Sequence, residues 1–288
     1  MDTYEKKGYL LQEFKVFRLN DTTLKPIPFH YHDFHKIILF LNGKADYIIE
    51  GKTYPLAPRD ILFVSAGEIH RPVPAPELPY ERIVIYVAPD FLAHYARGQE
   101  DLSRCFDLAR QQSSVMHVTP GKSHDLLYHM EKLEAVARQT GFANGLYTEI
   151  LFIEFMILLN RSLLDHEIEE SHAAVYDKKI LPLLQYINAH LTDELSVEHL
   201  AGQFYMSKFH MMRKFKAETG YSIHQYITNK RLLQARALLS GDSPVTKICF
   251  DCGFRDYSAF SRAFKELFQQ TPKEYRNLLA PRASRASH

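Results

Sequence analysis

Short apolar runs separated by turn residues fill the N-terminal part of the chain, from residue 29 to 87. The runs are rich in Ile, Val, Phe and Tyr, and they lie at Lys36–Leu41, Ala45–Glu50, Ile61–Val64 and Arg82–Val87. Short runs of β-branched and aromatic residues predict strands. Asn42-Gly43 lies between the first two runs and predicts a tight hairpin that joins them. The closely spaced strands predict a small antiparallel barrel or sandwich whose mouth could hold a ligand.

A helical period replaces this pattern between residues 123 and 164. Leu126, Met130 and Leu133 recur every three or four residues and define one face of a predicted helix. A second helix is predicted from Leu146 to Leu159, and it is unusually apolar, although charges interrupt it too often for a membrane span. Two interpretations stay open: the helix packs under the barrel, or it forms a seam between two copies of the chain.

The C-terminal part carries one helical pattern twice, between residues 196 and 276. The first copy contains Ser207, Arg213, Phe215 and Tyr226, and the second contains Asp256, Arg262, Phe264 and Tyr275, each 49 residues later (262 − 213). Each copy predicts two short helices joined by a turn, a shape whose second helix fits a DNA major groove. Ser207 and Asp256 are the predicted N-caps of these second helices.

One long helix is predicted to join the two units. Ser222 would cap it, and it would run to about Leu239. At 1.5 Å per residue, roughly 17 residues make a rigid spacer about 25 Å long. Ser243 is then predicted to cap the next helix, with Pro244 as the first helical residue.

Charge divides the chain into two halves of opposite sign. Residues 178–288 contain 17 Lys and Arg against 9 Asp and Glu, a net of +8 (17 − 9), whereas residues 1–177 contain 18 against 25, a net of −7. A basic half favours a polyanionic partner, because phosphate contacts release counterions. The alternative is a merely solvated basic surface, but the duplicated helical units favour DNA.

Residues 178–279 resemble the DNA-binding domain of the AraC/XylS family of bacterial transcription regulators. The resemblance rests on Leu195–Ala201 and Ser207–Lys216 in the first unit, and on Ile248–Phe254, Phe260–Phe264 and Thr271–Tyr275 in the second. It implies an α+β multidomain protein: an N-terminal antiparallel β-barrel of cupin type with flanking helices, and an all-α domain with two helix-turn-helix units joined by a long helix. It also implies a homodimer, with double-stranded promoter DNA, a small-molecule effector and RNA polymerase as partners.

The resemblance assigns the base-reading positions. They are Phe209, Met212, Arg213 and Lys216 in the first unit, and Tyr257, Ser258, Ser261 and Arg262 in the second. Arg213 and Arg262 are the predicted base readers, because a guanidinium can bond both acceptors of a guanine edge. Met212 cannot bond a base edge, so the first helix reads a thymine methyl or contributes little.

Flanking residues have different predicted roles. Lys208, Lys214 and Lys265 are predicted phosphate contacts. Phe215 and Phe264 are predicted core residues. The spacing of Phe209, Met212 and Phe215 predicts an apolar face with Arg213 on a different face.

Four histidines cluster around the predicted sheet: His30, His32, His35 and His70. Their spacing resembles the two motifs of the cupin superfamily, in which a Glu at position 36 and three histidines hold a divalent metal. Here the residue is Lys36, and an ammonium group repels a metal ion. Three interpretations stay open: a metal held by imidazoles, a polar ligand pocket, or structural histidines satisfied by hydrogen bonds.

The pocket interpretation places His30, His32, Lys36 and His70 around a small molecule. Tyr47 and Tyr86, on neighbouring strands, would add hydroxyls or stacking faces, although core tyrosines are the alternative. A lysine among imidazoles favours an anionic or hydroxyl-rich ligand. The family resemblance implies a sugar or another polar metabolite. No cofactor and no metal are part of this prediction.

Little else in the sequence suggests chemistry. Three cysteines make no disulfide framework, and Cys249 and Cys252 are interpreted as buried helix packing. The sequence contains no serine nucleophile elbow, phosphate loop or paired-carboxylate site. It therefore predicts a ligand-responsive DNA-binding regulator that is not an enzyme. The alternative is a cupin-type metalloenzyme fused to a DNA-binding tail.

The 288 residues are predicted to form several segments. They are a cupin-like sensing domain at 1–120, a helical dimerisation segment at 121–165, an acidic linker at 166–177 and a DNA-binding domain at 178–288. Met1–Leu10 lacks a hydrophobic signal core, which predicts a cytoplasmic protein. The effector, the promoter and the sign of regulation do not follow from the sequence.

Overall fold

The computed structural model describes residues 10, 12–22, 26–98, 100–118, 124–165, 168–170 and 174–283. The chain divides into two compact units between Tyr176 and Asp177. The N-terminal unit is rich in antiparallel sheet and the C-terminal unit is helical, so the predicted α+β organisation is confirmed. Across the described residues, no helix combines the length and apolarity that a membrane crossing requires.

Antiparallel strands form two sheets in the N-terminal unit. Their bounds are β1 Phe14–Asp21, β2 His35–Asn42, β3 Ala45–Ile49, β4 Lys52–Pro55, β5 Asp60–Val64, β6 His70–Pro74, β7 Tyr80–Val87, β8 Val115–Val118, β9 Ile168–Glu170 and β10 Val175–Tyr176. The first sheet has the order β1-β7-β2-β5-β8-β9, and the second has the order β10-β4-β3-β6.

The first sheet is buried on both faces. Along β2, Ile38 and Phe40 pack with residues of the second sheet, whereas Ile37 and Leu39 pack on the other side with helical residues. Successive side chains of a strand point to opposite faces, so an unbroken apolar run suits a strand covered on both sides. Lys36, which has the same parity as Ile38, therefore faces the space between the sheets.

The predicted hairpin at Asn42-Gly43 is wrong. β2 pairs with β5 and β7, so both of its edges are occupied and β3 pairs with β4 and β6 instead. Asn42-Gly43 carries the chain from one sheet to the other. The tight hairpin lies at Glu50-Gly51, where both residues have positive φ (47° and 76°) and Ile49 pairs with Lys52. A two-residue turn of type I′ requires this conformation.

Helices cover the outer face of the first sheet. They are α1 Pro89–His94, α2 Arg104–Gln111, α3 His124–Ala137 and α4 Asn144–Leu164. The two helices predicted between residues 123 and 164 correspond to α3 and α4. Leu126, Met130 and Leu133 of α3 are buried in the core beneath the sheet, together with Phe152 and Phe155 of α4.

The acidic segment at 166–177 contributes strands where the sequence predicts a linker. β9 pairs with β8, and β10 pairs with β4. The backbone N–H and C=O groups of an edge strand accept a further strand whatever the polarity of its side chains. Residues 166, 167 and 171–173 of this segment lie outside the described residues.

The C-terminal unit consists of helices. They are α5 Ile180–Ala189, α6 Val197–Gln203, α7 Lys208–Thr219, α8 Ile223–Leu238, α9 Val245–Asp251, α10 Tyr257–Phe268 and α11 Pro272–Ala283. The pairs α6–α7 and α9–α10 are the two helix-turn-helix units, and α8 joins them. The Ser207 hydroxyl accepts a bond from the His210 N–H, and the Asp256 carboxylate accepts one from Ala259, which confirms both predicted caps.

Two further N-caps are predicted, at the starts of α8 and α9. Ser222 and Gln225 form a capping box at the start of α8, as the predicted cap at Ser222 requires. The predicted start of α9 is wrong by one residue. Pro244 has a ψ of 140° and is itself the N-cap, without a side-chain cap, so the helix begins at Val245 and Ser243 caps nothing.

Candidate nucleic-acid interface and ligand site

One exposed face of α7 collects the predicted reading residues of the first unit. Positions i, i+3, i+4 and i+7 of a helix share a face, and here they are Phe209, Met212, Arg213 and Lys216, all exposed. The core face is formed by Met211 and Phe215, which are fully buried. The prediction that Arg213 lies on a different face from Phe209 and Met212 is therefore wrong, because those two apolar side chains are not core residues.

The second reading face lies on α10. Ser258, Arg262 and Lys265 are exposed and Ser261 is half-buried, again at i, i+4, i+7 and i+3. Phe260 and Phe264 are fully buried on the opposite side. Tyr257 is half-buried, and its ring centroid lies 6.0 Å from that of Phe260, so this side chain belongs partly to the core.

The three lysines predicted to contact phosphates differ in the ion pairs that they form within the protein. Lys208 forms an ion pair with Glu198 at 2.6 Å, and Lys214 forms one with Asp177. These ammonium groups hold the pKa of both carboxyls below its ordinary value through side-chain hydrogen bonds. Lys265 has no ion pair within the part of the chain that the structure describes. Lys265 is thus available to a phosphate at lower cost than Lys208 or Lys214.

Within the C-terminal unit, polar contacts that sequence reasoning missed tie α8 and the second helix-turn-helix unit to the segment that precedes the first. Arg231 of α8 donates to the backbone oxygens of Leu191 and Asp193, at 2.6 and 2.7 Å, ahead of the first unit. Arg255, in the turn of the second unit, pairs with Glu194 at 2.7 Å. Lone arginines between helices carry no pattern in the sequence that distinguishes them from surface residues.

Three of the four clustered histidines meet between the two sheets. His30, His32 and His70 are buried, and each offers a ring nitrogen within 4.8 Å of the others. The Nδ1 atoms of His30 and His70 lie 2.9 Å from the backbone oxygens of Pro28 and Glu68. A ring that donates from Nδ1 presents the lone pair of Nε2, and the buried Nε2 of His70 has no hydrogen-bond partner among the described residues.

His35 does not belong to this cluster. It precedes Lys36 by one residue, so strand alternation directs it to the opposite face of the sheet. There its ring stacks on Phe106, with centroids 4.2 Å apart, and its Nδ1 accepts a bond from the Ala66 N–H at 3.2 Å. Burial and the nearby Arg110 lower the pKa of His35 to about 4.

The remaining predicted pocket residues surround the histidine cluster. Lys36 donates to the Tyr47 hydroxyl at 3.4 Å, and its Nζ lies 5.6 Å from the centroid of Tyr86. The rings of Tyr47 and His70 stack, with centroids 5.9 Å apart. Burial, followed by repulsion from Arg82, lowers the pKa of Lys36 to about 7. Burial and repulsion from Lys36 hold the pKa of His70 well below its ordinary value.

The cupin likeness raises the question whether these residues fit a metal. Imidazoles whose second nitrogen is held by a backbone oxygen suit a divalent transition ion, so His30 and His70 fit. Lys36 supplies an amine where the metal-binding motif has a carboxylate, and its protonated form would oppose a cation. Among these residues, the imidazoles therefore fit such an ion and Lys36 does not.

Comparison with known proteins agrees with both parts of the fold. The family model for an AraC-like ligand binding domain matches residues 18–156, and a helix-turn-helix domain model matches 200–278. The HTH-type transcriptional activator RhaS of Shigella sonnei is 30% identical over 254 residues, which cover 86% of this chain and 87% of that protein. RhaS of Klebsiella pneumoniae is 28% identical over 250 residues, with the same coverage.

Solved structures with a likeness to this chain include ToxT from Vibrio cholerae. It is 15% identical, the match covers 93% of this chain and 98% of that one, and the TM-score is 0.37. The family of this chain follows from two findings: the matches to both family models and the extent of the likeness to RhaS. The protein belongs to the AraC family of transcription regulators, with an AraC-like ligand-binding domain followed by a helix-turn-helix DNA-binding domain.

Proposed function

We propose that this regulator reads two successive major-groove segments of promoter DNA and that a polar small molecule modulates its activity. The observation that carries the proposal is the repetition of Arg and Lys at matched, exposed positions of α7 and α10. On this proposal Arg213 and Arg262 bond guanine edges, and Lys208, Lys214 and Lys265 contact phosphates. The two RhaS proteins named above are transcriptional activators, which supports an activating role.

The effector would bind between the two sheets of the N-terminal unit. His30, His32, Lys36, Tyr47, His70 and Tyr86 would surround it. Lys36 is buried, and no carboxylate pairs with it among the described residues. An anionic or hydroxyl-rich ligand would therefore give its ammonium group further acceptors beside the Tyr47 hydroxyl. Such a ligand changes DNA binding only if it prefers one of two arrangements of the protein.

A homodimer would form through α4. Its exposed or half-buried apolar residues include Leu146, Ile150, Ile153, Ile157 and Leu164. The first four recur at alternating intervals of four and three residues, the spacing by which two helices pack along a shared seam. We expect this cytoplasmic dimer to act together with RNA polymerase.

Selection of duplexes from a random pool by the full-length protein tests the proposal. The expected result is a site with two conserved segments about one helical turn apart, bound with a strong dependence on salt. Recovery of no preferred sequence, together with no salt-sensitive binding to any duplex, would contradict it. The effector part is tested separately by screening anionic and hydroxyl-rich metabolites for a shift in melting temperature that Lys36→Met abolishes.

A second candidate, a cupin-type metalloenzyme fused to a DNA-binding tail, is favoured by the meeting of His30, His32 and His70. Metal analysis of the purified protein separates the candidates. Stoichiometric iron or zinc that is lost in His70→Ala would support the enzyme. A protein that binds its effector and its promoter without retaining any metal would exclude it.

A further inference from the structure

The two reading faces agree at two matched positions and differ at two others. With the offset of 49 residues, Arg213 matches Arg262 and Lys216 matches Lys265. Phe209, however, stands where the second unit has Ser258, and Met212 stands where it has Ser261. The two faces therefore present the same cations beside different chemistry.

The apolar pair of the first face is open to solvent. Phe209 is 73% exposed and Met212 is 42% exposed, while the core positions of the helix are already filled by Met211 and Phe215. Tyr205, in the turn before α7, is also 96% exposed. Large apolar side chains side by side on a surface indicate a contact with another molecule.

The cations on the same face identify that molecule. A protein partner covering Phe209 and Met212 would also have to desolvate Arg213 and Lys216, which is costly without matched carboxylates. A duplex satisfies both demands, because its phosphates and guanine edges take the cations. The major groove offers one apolar feature on a base edge, the C5-methyl group of thymine.

We propose that Phe209 and Met212 read thymine methyl groups, whereas Ser258 and Ser261 read the second half-site through hydrogen bonds. Phe209 lies in the first turn of α7, and the N-terminal residues of a recognition helix approach the bases most closely. The two halves of one site would then differ in kind, with thymines in the first and hydrogen-bonding edges in the second. This inference rests on the proposed DNA-binding function.

Replacement of thymine by deoxyuridine tests the inference, because deoxyuridine lacks the methyl group and keeps the hydrogen-bonding edge. The full-length protein is titrated with its selected duplex, carrying deoxyuridine at one thymine at a time. Loss of each contacted methyl in the first half-site should weaken binding about fourfold, the effect of no longer burying one methylene-sized group. The same exchange in the second half-site should change affinity by less than about twofold.

A matched pair of variants assigns the effect to these side chains. Phe209→Ser with Met212→Ser gives the first face the residues of the second, and it should make binding indifferent to deoxyuridine. Ser258→Ala with Ser261→Ala should leave the response to deoxyuridine unchanged. All four side chains lie outside the buried core, so the thermal unfolding of both variants should match that of the parent protein.

The outcomes separate this inference from the function on which it rests. Salt-sensitive binding to a selected site whose first half contains no thymine, or whose thymines tolerate deoxyuridine, would overturn the inference alone. An unaltered response to deoxyuridine in the Phe209→Ser, Met212→Ser variant would also overturn it. Failure to bind any duplex would instead overturn the proposed function.

Discussion

At the scale of single residues, Lys36 carries an energetic cost that the fold tolerates. Its ammonium is buried between two sheets near Arg82, and the pKa falls from 10.5 to about 7. Between pH 7 and 10.5 the unfolded chain holds a proton that the folded chain has released. The free energy of unfolding therefore rises with pH across this window, by up to about 1.4 kcal/mol per pH unit.

Lys36→Met should remove this dependence. We expect the variant to be more stable than the parent, most clearly at pH 7 and below, where the parent bears the full cost of a buried charge. Urea unfolding at about pH 7, 8 and 9 measures the difference. Lys44→Met, at an exposed position of the same unit, is the control and should keep the parental slope. An equal slope in Lys36→Met would show that Lys36 does not titrate in this range.

The two kinds of cation on the reading faces should respond differently to truncation. Arg262→Ala should cost about 1 to 3 kcal/mol and relax the preference at one base pair. Lys265→Ala should weaken all sequences alike and reduce the slope against salt by about one. Lys208→Ala should change that slope less, since Glu198 already pairs with Lys208. Titrations on selected and random duplexes measure all three, and an equal loss on both by Arg262→Ala would refute its role.

Residue identity alone misplaces side chains where two patterns overlap. Phe209, Met212 and Phe215 have the spacing of one apolar face, yet only Phe215 is in the core, because the buried partner one turn before it is Met211. Proximity in sequence groups His35 with the other histidines, whereas strand parity separates it from them. The first error arises because a surface that contacts another molecule can be as apolar as an interior. The second arises because successive residues of a strand face opposite sides of the sheet.

At the scale of elements, turns are harder to predict than helices. The caps at Ser207, Ser222 and Asp256 are local, since each bonds to a backbone N–H three residues away, and the sequence therefore reveals them. Asn42-Gly43 has the same local propensity as a hairpin turn, but strand pairing is decided by β5 and β7, which come later in the chain. The residues of a turn carry no signal for the pairing of strands that are distant in sequence.

In the connection between β2 and β3, the position of Gly43 should tolerate no side chain. Its φ is +115°, and a Cβ there would lie 1.9 Å from the backbone oxygen of Pro79. Gly43→Ala should therefore lower the free energy of unfolding by more than about 2 kcal/mol, through strain and displacement of the neighbouring backbone. Gly98→Ala is the matched control, because its φ is +62° and nothing lies within 4 Å. Equal losses in urea unfolding would mean that the close approach to Pro79 relaxes freely.

The apolar stripe of α4 can be tested as a dimer seam. Ile150→Glu with Ile157→Glu would place two carboxylates in a shared helical interface, so we expect the full-length protein to become monomeric. Light scattering at several concentrations measures the mass. Leu78→Glu changes an apolar side chain that is 45% exposed outside α4, and it should leave the dimer intact. A parent protein that stays monomeric at high concentration would contradict the seam.

At the scale of the whole molecule, charge separates the two compact units. Residues 177–288 carry 17 basic and 10 acidic side chains, a net of +7 (17 − 10), and the rest of the chain carries 18 and 24, a net of −6 (18 − 24). Each unit has its own buried core. The acidic unit opposes the approach of a polyanion, so the full chain should bind random DNA less strongly than its basic part would alone.

The separated segment 177–288 tests this opposition. At low salt it should bind random duplexes more tightly than the full chain, and the difference should shrink as the screening length falls from about 10 Å at 0.1 M to about 3 Å at 1 M. The affinity of the segment should therefore fall more steeply with salt than that of the full chain, although both forms make the same phosphate contacts. Equal affinity at low salt would show that the acidic unit exerts no field at the DNA surface. A segment that bound no duplex in a salt-sensitive way would remove the basis for DNA reading altogether.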